Sequence, residues 1–144
     1  MGYNVQIESG TIKIPTGYLD SAYNTMCELN HLPDDDKAGG SWKGGQRDFA
    51  WFSWMDWNYP ETCVNAQEIL AQLGFYDTYE WDGNLVIHAY DSKKGQEELF
   101  IAAIAPWITP DSVLHWVGED GNRWRWTFVE GELIHQWGQV VYTN

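Results

Sequence analysis

The chain has 144 residues, the length of one domain, and a chain of this size buries roughly 68–70% of the surface that its unfolded form exposes. Its 21 acidic and 8 basic residues give a net charge of −13 at pH 7. This charge argues against binding to long nucleic acid, which proteins hold by neutralising its phosphates, and suits docking onto a basic surface of a partner protein.

The sequence contains no signal for a membrane or for export. No apolar run approaches the roughly 18 residues of a membrane span, and the N-terminus lacks a basic region followed by an apolar stretch. The two cysteines, Cys27 and Cys63, lie at apolar positions of predicted helices and outside any CxxC pair. We therefore expect buried free thiols, a cytoplasmic location, no metal and no cofactor.

The first thirty residues predict a strand followed by a helix. Apolar and polar residues alternate between Tyr3 and Ile14, which indicates one strand or a short hairpin over residues 3–14. Apolar residues then recur every three or four positions, which predicts an amphipathic helix over residues 17–29.

Residues 30–48 show no periodicity and predict a long loop. The segment contains the acidic run Asp34-Asp35-Asp36 and two glycine pairs. Loops of this length in a compact domain are commonly functional or mobile. Three adjacent carboxylates can attract a cation, but the DxDxDG pattern of an EF-hand is absent.

An aromatic segment and a second helix follow. Trp51, Trp54 and Trp57 repeat every three residues, yet apolar residues in the segment also alternate, so periodicity leaves a short helix and an irregular strand open. The apolar stripe that comes next predicts a helix over residues 60–73, which begins with a proline and has Gly74 as its C-cap.

A hairpin and a third helix precede the C-terminal region. The hairpin spans residues 75–90 and turns at Asp82-Gly83-Asn84, and its apolar second strand is typical of the middle of a sheet. Residues 91–95 predict a loop. A helix over residues 96–105 then ends at a proline.

Three antiparallel strands in a meander are predicted over residues 112–142. The dipeptides Asp120-Gly121 and Glu130-Gly131 are signals for two-residue turns. Counting back from these turns pairs the strands and places nine side chains on one face, which we take as the core face. These nine are Val113, His115, Val117, Trp124, Trp126, Phe128, Leu133, His135 and Trp137.

The opposite face of the meander is then predicted to be exposed. On that face Arg125 lies between Trp116 and Gln136, an arrangement that suits a cation–π contact worth roughly 0.5–1 kcal/mol. A shift of one residue in the register would exchange the two faces. The residues assigned to this face are Leu114, Trp116, Arg123, Arg125, Thr127, Ile134 and Gln136.

These elements predict a single α+β domain over residues 1–144. Its antiparallel sheet ends in the three-stranded C-terminal meander and is covered on one face by about three helices. No internal repeat or linker divides the chain.

No pattern of catalytic residues stands out in the sequence. It has no G-x-S-x-G, no phosphate-binding loop and no cysteine in an electropositive context. The four histidines are unpaired, and the predicted strand of Trp126 separates His115 from His135. Acidic pairs lie mostly at turns, where carboxylates commonly keep a turn soluble. We therefore expect no enzymatic activity.

The ten tryptophans exceed what a core of this size needs. We assign Trp124, Trp126, Phe128 and Trp137 to the core and expect others to be exposed, because exposed Trp and Arg are typical of interface hot spots. The alternative is a small-ligand protein that binds or sequesters a nucleotide signal by stacking it on tryptophans. The predicted contact residues are Trp51, Trp54, Trp57, Asp34, Asp35, Asp36, Trp116 and Arg125.

The phrase Glu-Asp-Gly-x-x-Trp-Arg-Trp, which runs from Glu119 to Trp126, resembles small accessory proteins encoded by tailed bacteriophages. The similar portion covers residues 60–142. This resemblance implies an accessory phage protein without catalytic residues, and many small acidic phage proteins counter host defences, including anti-CRISPR inhibitors. Our leading hypothesis is a non-enzymatic protein that binds and inhibits a bacterial defence protein stoichiometrically in the cytoplasm of the infected host.

Overall fold

A computed structural model of the chain describes residues 3–32, 39–43, 46–51 and 55–138. Within these ranges the main body is a seven-stranded antiparallel sheet with α-helices on one face, which confirms the predicted α+β class. The strands are β1 (Asn4–Pro15), β2 (Gly39–Lys43), β3 (Gln46–Ala50), β4 (Tyr79–Trp81), β5 (Asn84–Ile87), β6 (Asp91–Lys93), β7 (Val113–Gly118), β8 (Arg123–Val129) and β9 (Glu132–Trp137). The helices are α1 (Leu19–Glu28), α2 (Tyr59–Thr62), α3 (Ala66–Leu73) and α4 (Glu97–Ile104).

The main sheet is built around β1. Strand β7 runs along one side of β1, while β6 pairs with its first residues and β5 with its last on the other side. The register against β7 shifts between Ile7 and Ser9, a β-bulge that bends the long strand. Gly10 has a φ of +96°, and a Cβ there would lie 2.2 Å from the carbonyl oxygen of Val113. The alternation over residues 3–14 therefore marks one bent strand.

The helices lie close to their predicted positions, but the second one is divided. The chain is extended at Cys63 and Asn65, so α2 and α3 replace one continuous helix. The side chain of Asn65 accepts a hydrogen bond from the N–H of Glu68 (2.9 Å), and the Glu68 carboxylate accepts one from the N–H of Val64 (2.9 Å). This reciprocal pair starts α3. Gly74, with a φ of +123°, ends it as predicted.

The loop predicted over residues 30–48 is wrong for its second half. Strands β2 and β3 form a two-stranded antiparallel sheet there, separate from the main sheet. Their sequences are rich in glycine and polar residues and give no alternating pattern, so periodicity failed to detect them. Strand β6 was likewise predicted as a loop, because three polar residues carry no periodic signal.

The first turn of the C-terminal meander has three residues instead of the predicted two. The N–H of Gly118 donates to the carbonyl of Asn122 (2.8 Å), which leaves Glu119, Asp120 and Gly121 in the loop. The N–H of Gly121 donates back to the carbonyl of Gly118 (2.9 Å), and Gly121 has a φ of +85°. This is the common three-residue hairpin loop with glycine in the left-handed position. Each pair across the turn is therefore shifted by one residue.

The shift exchanges the two faces predicted for β7. Trp116 pairs with Trp124, and Leu114 pairs with Trp126, on the side of the helices. We call this side of the sheet, with Leu114, Trp116, Trp124, Trp126 and Phe128, the covered face. The prediction places the alternate residues of β7 in the core, but they lie on the opposite side of the sheet and are half-buried. They are Val113, His115 and Val117.

The second turn and β9 follow the prediction in register but not in burial. Glu130 and Gly131 form a two-residue loop with φ values of +50° and +78°, and the pairs between β8 and β9 are those counted from the sequence. Trp137, predicted to be in the core, is 62% exposed. It is the last residue of the last strand in the sheet order, so few neighbours surround its ring.

The core lies between the covered face and the helices. Phe100 of α4 packs against the rings of Trp51 and Tyr59 at centroid distances of 5.6 and 5.8 Å. The largest fully buried side chains include Trp51, Trp116, Trp126, Tyr59, Tyr90, Phe75 and Phe100.

Among the described residues, no helix is both long and apolar enough to cross a membrane.

Candidate functional site

Two of the predicted contact residues are buried, and those predictions are wrong. Trp51 is 1% exposed, and its ring packs edge-on against Phe100 at an interplanar angle of 90°. Trp116 is also 1% exposed, with its ring 4.7 Å from that of Trp126 and 5.3 Å from that of Tyr90. Both tryptophans join the sheet to its helical layer, and a partner cannot reach either of them.

Two other predicted contact residues are exposed but lie on different parts of the molecule. Trp57 is 55% exposed, and its carbonyl accepts a hydrogen bond from Nδ2 of Asn30 just beyond α1 (2.9 Å). Arg125 is exposed on β8, on the side of the sheet that faces away from the helices. These two residues therefore do not form one contact surface. The remaining predicted contact residues lie outside the described residues: Trp54, Asp34, Asp35 and Asp36.

The side of the sheet opposite the helices, which we call the open face, contains a groove of about 440 Å³. We define the open face by His115, Arg123, Arg125 and Gln136. Gly138 carries no side chain, and a Cβ there would lie 2.9 Å from the carbonyl oxygen of Arg123, so the backbone at Gly138 passes close to β8. The groove is lined by Glu8, His115, Trp116, Arg123, Trp124, Arg125, Gln136, Trp137 and Gly138.

Two arginines set the charge of the groove. Nη2 of Arg123 lies 3.2 Å from Oε2 of Glu8, an ion pair between exposed side chains. Nε of Arg125 donates to Oε1 of Gln136 (2.6 Å), and Arg125 lies between His115 and Gln136 in a row across three strands. The prediction that Trp116 flanks Arg125 is wrong because of the register. In a chain of net charge −13, this groove is a local concentration of positive charge and N–H donors.

A second cluster lies on the covered face beside β9. The rings of Trp124, His135 and Trp137 have centroid separations of 5.6 Å (Trp124–Trp137), 6.2 Å (Trp124–His135) and 4.9 Å (His135–Trp137). Nζ of Lys94 lies 5.1 Å from the centroid of Trp124 and 5.6 Å from that of Trp137. Nδ1 of His135 lies 2.5 Å from Oε1 of Glu98. We call these five residues the edge cluster.

The side chains with nucleophilic or metal-binding chemistry are dispersed. Burial raises the pKa of the free thiols of Cys27 and Cys63, which disfavours the reactive thiolate. His115 lies on the open face and His135 on the covered face, so the prediction that they share a face is wrong. Within the described ranges, no group of three or more His, Cys, Asp or Glu is placed to hold a metal ion.

Sequence reasoning missed part of the groove and the whole edge cluster. The wrong register placed His115 in the core, and the contact of Lys94 and Glu98 with β9 arises only when the segment at α4 packs against that strand. A useful signal was present in β8. Arg123 and Arg125 alternate with buried aromatic residues, which places both arginines on one exposed face whatever the register.

The comparisons with known proteins identify no family. No protein-family model matches the chain, and the searches of curated proteins and of solved structures find no match. What the molecule itself defines is an α+β domain whose C-terminal sheet presents an arginine-lined groove on one side and an aromatic cluster at its edge.

Proposed function

We propose that this protein acts by binding another protein stoichiometrically, as a phage-encoded inhibitor of a bacterial defence protein. The observation that carries the proposal is the open face, where Arg123, Arg125 and Gln136 surround a groove of about 440 Å³. Arg is enriched among the residues that dominate binding energy at protein interfaces. The resemblance of the β7–β8 turn to phage accessory proteins supports the biological setting.

The two arginines are suited to different contacts. Arg123 is neutralised by Glu8 and offers a polar but balanced surface. Arg125 is bonded to the neutral Gln136, so its guanidinium keeps its full charge for a carboxylate or carbonyl of the partner. The net charge of −13 steers the whole molecule toward a partner that is basic overall.

The test mixes the purified protein with individual defence effectors. We expect one effector to elute with the protein as a complex on gel filtration and to be fully inhibited at an equimolar ratio. Inhibition far below that ratio would instead indicate an enzyme. If a panel of defence systems is unaffected by expression of the protein, the proposal fails.

The groove is tested in the same complex with Arg125→Ala. We expect an affinity loss of about 2 kcal/mol, which is roughly thirtyfold, because truncated hot-spot residues cost this much. The melting temperature should stay within experimental error, since Arg125 is exposed. Lys13→Ala is the matched control: Lys13 is a basic residue of the same sheet, ion-paired with Asp111 and outside the groove. Equal losses for both variants would rule out the groove as the contact.

A small-ligand protein is the second candidate, and one observation favours it. The groove volume of about 440 Å³ falls within the range of ligand pockets, and several N–H donors converge there. Trp116, Trp124 and Trp137 all lie on the covered face, so the N–H donors of the groove, and not tryptophan stacking, favour this candidate. Thermal shift and tryptophan fluorescence with a set of nucleotides test this alternative. No response to any of them removes it.

A further inference from the structure

The ammonium group of Lys94 lies in the angle between two tryptophan rings of the edge cluster. Nζ is 5.1 Å from the Trp124 centroid and 5.6 Å from the Trp137 centroid, and the two rings are inclined at 57°. Both distances are within the range of about 6 Å for cation–π attraction. The two rings therefore form an aromatic site for a cation, and a residue of the chain itself fills it.

The remaining members of the edge cluster complete such a site. The His135 ring packs beside both tryptophans, with its centroid 6.2 Å from that of Trp124 at an interplanar angle of 5° and 4.9 Å from that of Trp137. Beyond it, Oε1 of Glu98 lies 2.5 Å from Nδ1 of His135, and the Glu98 side chain is 43% exposed. Aromatic faces next to an accessible carboxylate are the combination that recognises a positively charged group.

Lys94 is held in this site weakly. It is exposed, and its ammonium forms no ion pair with a carboxylate of the described residues. Its backbone is fixed by a hydrogen bond from the Lys94 N–H to the carbonyl of Tyr3 (2.7 Å), while the side chain above is a flexible four-carbon stem. The ammonium can therefore leave the rings without any change in the fold.

We infer that the edge cluster is a binding site for a guanidinium group of a partner protein, which Lys94 occupies in the free protein. A guanidinium fits better than an ammonium because it is planar, stacks on aromatic rings and is more weakly hydrated, and its N–H groups can reach a carboxylate such as Glu98. The inference rests on the proposed function, since it identifies the partner as a protein that inserts an arginine here. It agrees with the net charge of −13, which favours a basic partner.

The site is tested first without any partner, by NMR of the ¹⁵N-labelled full chain. The probe is Nα-acetyl-arginine amide, with Nα-acetyl-lysine amide and tetramethylammonium as comparison cations. We expect the arginine probe to shift the indole signals of Trp124 and Trp137, which Trp→Phe variants assign, and to bind more tightly than both comparison cations. Lys94→Gln should tighten the binding about two- to fivefold, because it removes a competing cation–π contact worth about 0.5–1 kcal/mol.

Two variants test whether the arginine probe binds at the edge cluster. Trp137→Ala should abolish the binding of the arginine probe, and the protein should still fold because this ring is 62% exposed. Trp81→Ala, at a tryptophan 71% exposed on β4, should leave it unchanged. The inference is overturned if the arginine probe shifts neither indole, if Lys94→Gln does not tighten binding, or if tetramethylammonium binds more tightly than the arginine probe.

The complex with a defence effector then separates this inference from the proposed function. We expect Trp137→Ala and Glu98→Gln to weaken the complex and Lys94→Gln to strengthen it. If the complex forms but none of the three changes alters it, the edge cluster is not the partner site, although the binding function stands. If no effector forms a complex, the proposed function fails, while the probe titration still decides whether the cluster binds a guanidinium.

Discussion

At the scale of single residues, tryptophans of this chain differ widely in what they contribute to stability. Trp116 is 1% exposed and contacts the rings of Phe75, Tyr90 and Trp126, whereas Trp81 is 71% exposed on β4. We expect Trp116→Ala to lower the free energy of unfolding by about 3–5 kcal/mol, the usual loss when a buried aromatic is truncated. Trp81→Ala should change it by less than about 0.5 kcal/mol. Urea unfolding followed by circular dichroism measures both.

The comparison of Trp116→Ala with Trp81→Ala also decides between the two registers of the meander. The two-residue turn predicted from the sequence places Trp116 on the exposed face, and the three-residue turn of the structure places it in the core. A Trp116→Ala variant as stable as Trp81→Ala would therefore contradict the register described above. Trp126→Ala is expected to be destabilising in either register, because both place Trp126 on the core side.

Glu97 gives the chain a pH dependence of stability that opposes the usual acid denaturation. It is 2% exposed at the start of α4, and its Oε2 accepts a hydrogen bond from the N–H of Gly95 (2.6 Å). Burial raises the pKa of this carboxyl above its usual value of 4.5. The folded state thus binds the proton more tightly than the unfolded chain. The resulting stabilisation is fully present below pH 4.5 and is lost as the pH rises through the raised pKa.

Glu97→Gln should remove this loss, because the amide stays neutral and still accepts the Gly95 hydrogen bond through its oxygen. We expect the variant to gain stability relative to the parent as the pH increases from about 5 to about 8, measured by urea unfolding at each pH. Glu28→Gln, at an exposed residue of α1, is the control and should show no such trend. A constant difference between Glu97→Gln and the parent across this range would show that the carboxyl does not titrate differently in the two states.

At the scale of secondary-structure elements, three Asp-Gly and Glu-Gly turns show what a dipeptide can predict. Asp82-Gly83 and Glu130-Gly131 both have two positive φ values and form two-residue turns. The second was predicted as such, whereas the first was predicted to include Asn84, which begins β5. Asp120 is not among the described residues with positive φ, and its carboxylate instead bonds the hydroxyl of Tyr3 and the N–H of Asn122. Tyr3, which immediately precedes β1, lies 117 residues away in the sequence. No local pattern reports such a contact, so the register of β7 was lost while that of β9 was found.

The same distinction between local sequence patterns and contacts distant in sequence applies to the candidate site. The helical layer and the order of the elements other than β2, β3 and β6 follow from alternation, three-to-four spacing and turn dipeptides, which are local properties. The edge cluster combines a residue before α4, a residue within α4 and residues of two strands. The sequence predicted Arg125 as exposed because it alternates with buried tryptophans, but it placed Trp51 on the surface because periodicity could not assign the aromatic segment.

Gly10, just after the bulge in β1, lies where the backbones of β1 and β7 come into close contact. Gly10 has a φ of +96°, and a Cβ would lie 2.2 Å from the Val113 carbonyl oxygen, in the backbone of the neighbouring strand. We expect Gly10→Ala to cost about 1–3 kcal/mol, because the alanine is strained in this conformation and the backbone of β7 must move. Gly17→Ala is the matched control: a Cβ there meets nothing within 4 Å, and its effect should stay within about 0.5 kcal/mol.

Amide hydrogen exchange distinguishes the mechanism of this effect from a general loss of stability. In Gly10→Ala the amides of β7 should lose protection more than those of β9, because the displaced backbone belongs to β7 and the β8–β9 pairing is unaffected. If alanine is tolerated at position 10 as well as at position 17, the close approach of β1 to β7 is not a feature of the protein in solution.

At the scale of the whole molecule, the net charge lowers the stability of the folded state and would speed association with the proposed basic partner. Thirteen excess negative charges repel one another in the folded state, and the same charges would attract the basic partner that we propose. Raising the salt concentration from about 10 mM to about 150 mM shortens the Debye length from about 30 Å to about 8 Å, which screens both effects. We therefore expect the free energy of unfolding to rise with salt while the association rate with the partner falls.

Substitution of the acidic run Asp34-Asp35-Asp36 distinguishes a direct contact with the partner from the general effect of net charge. Replacing all three with Asn lowers the net negative charge by three and should reduce the salt dependence of stability. If the run touches the partner, affinity should fall and the salt dependence of the association rate should become shallower. Three exposed acidic residues elsewhere, Glu61, Glu80 and Glu119, changed together to Gln, give the same net charge and serve as the control. Stopped-flow association at several salt concentrations measures both variants. If the Asn variant keeps the affinity and the salt dependence of the parent, these aspartates are solvated surface and the predicted contact at residues 34–36 is wrong.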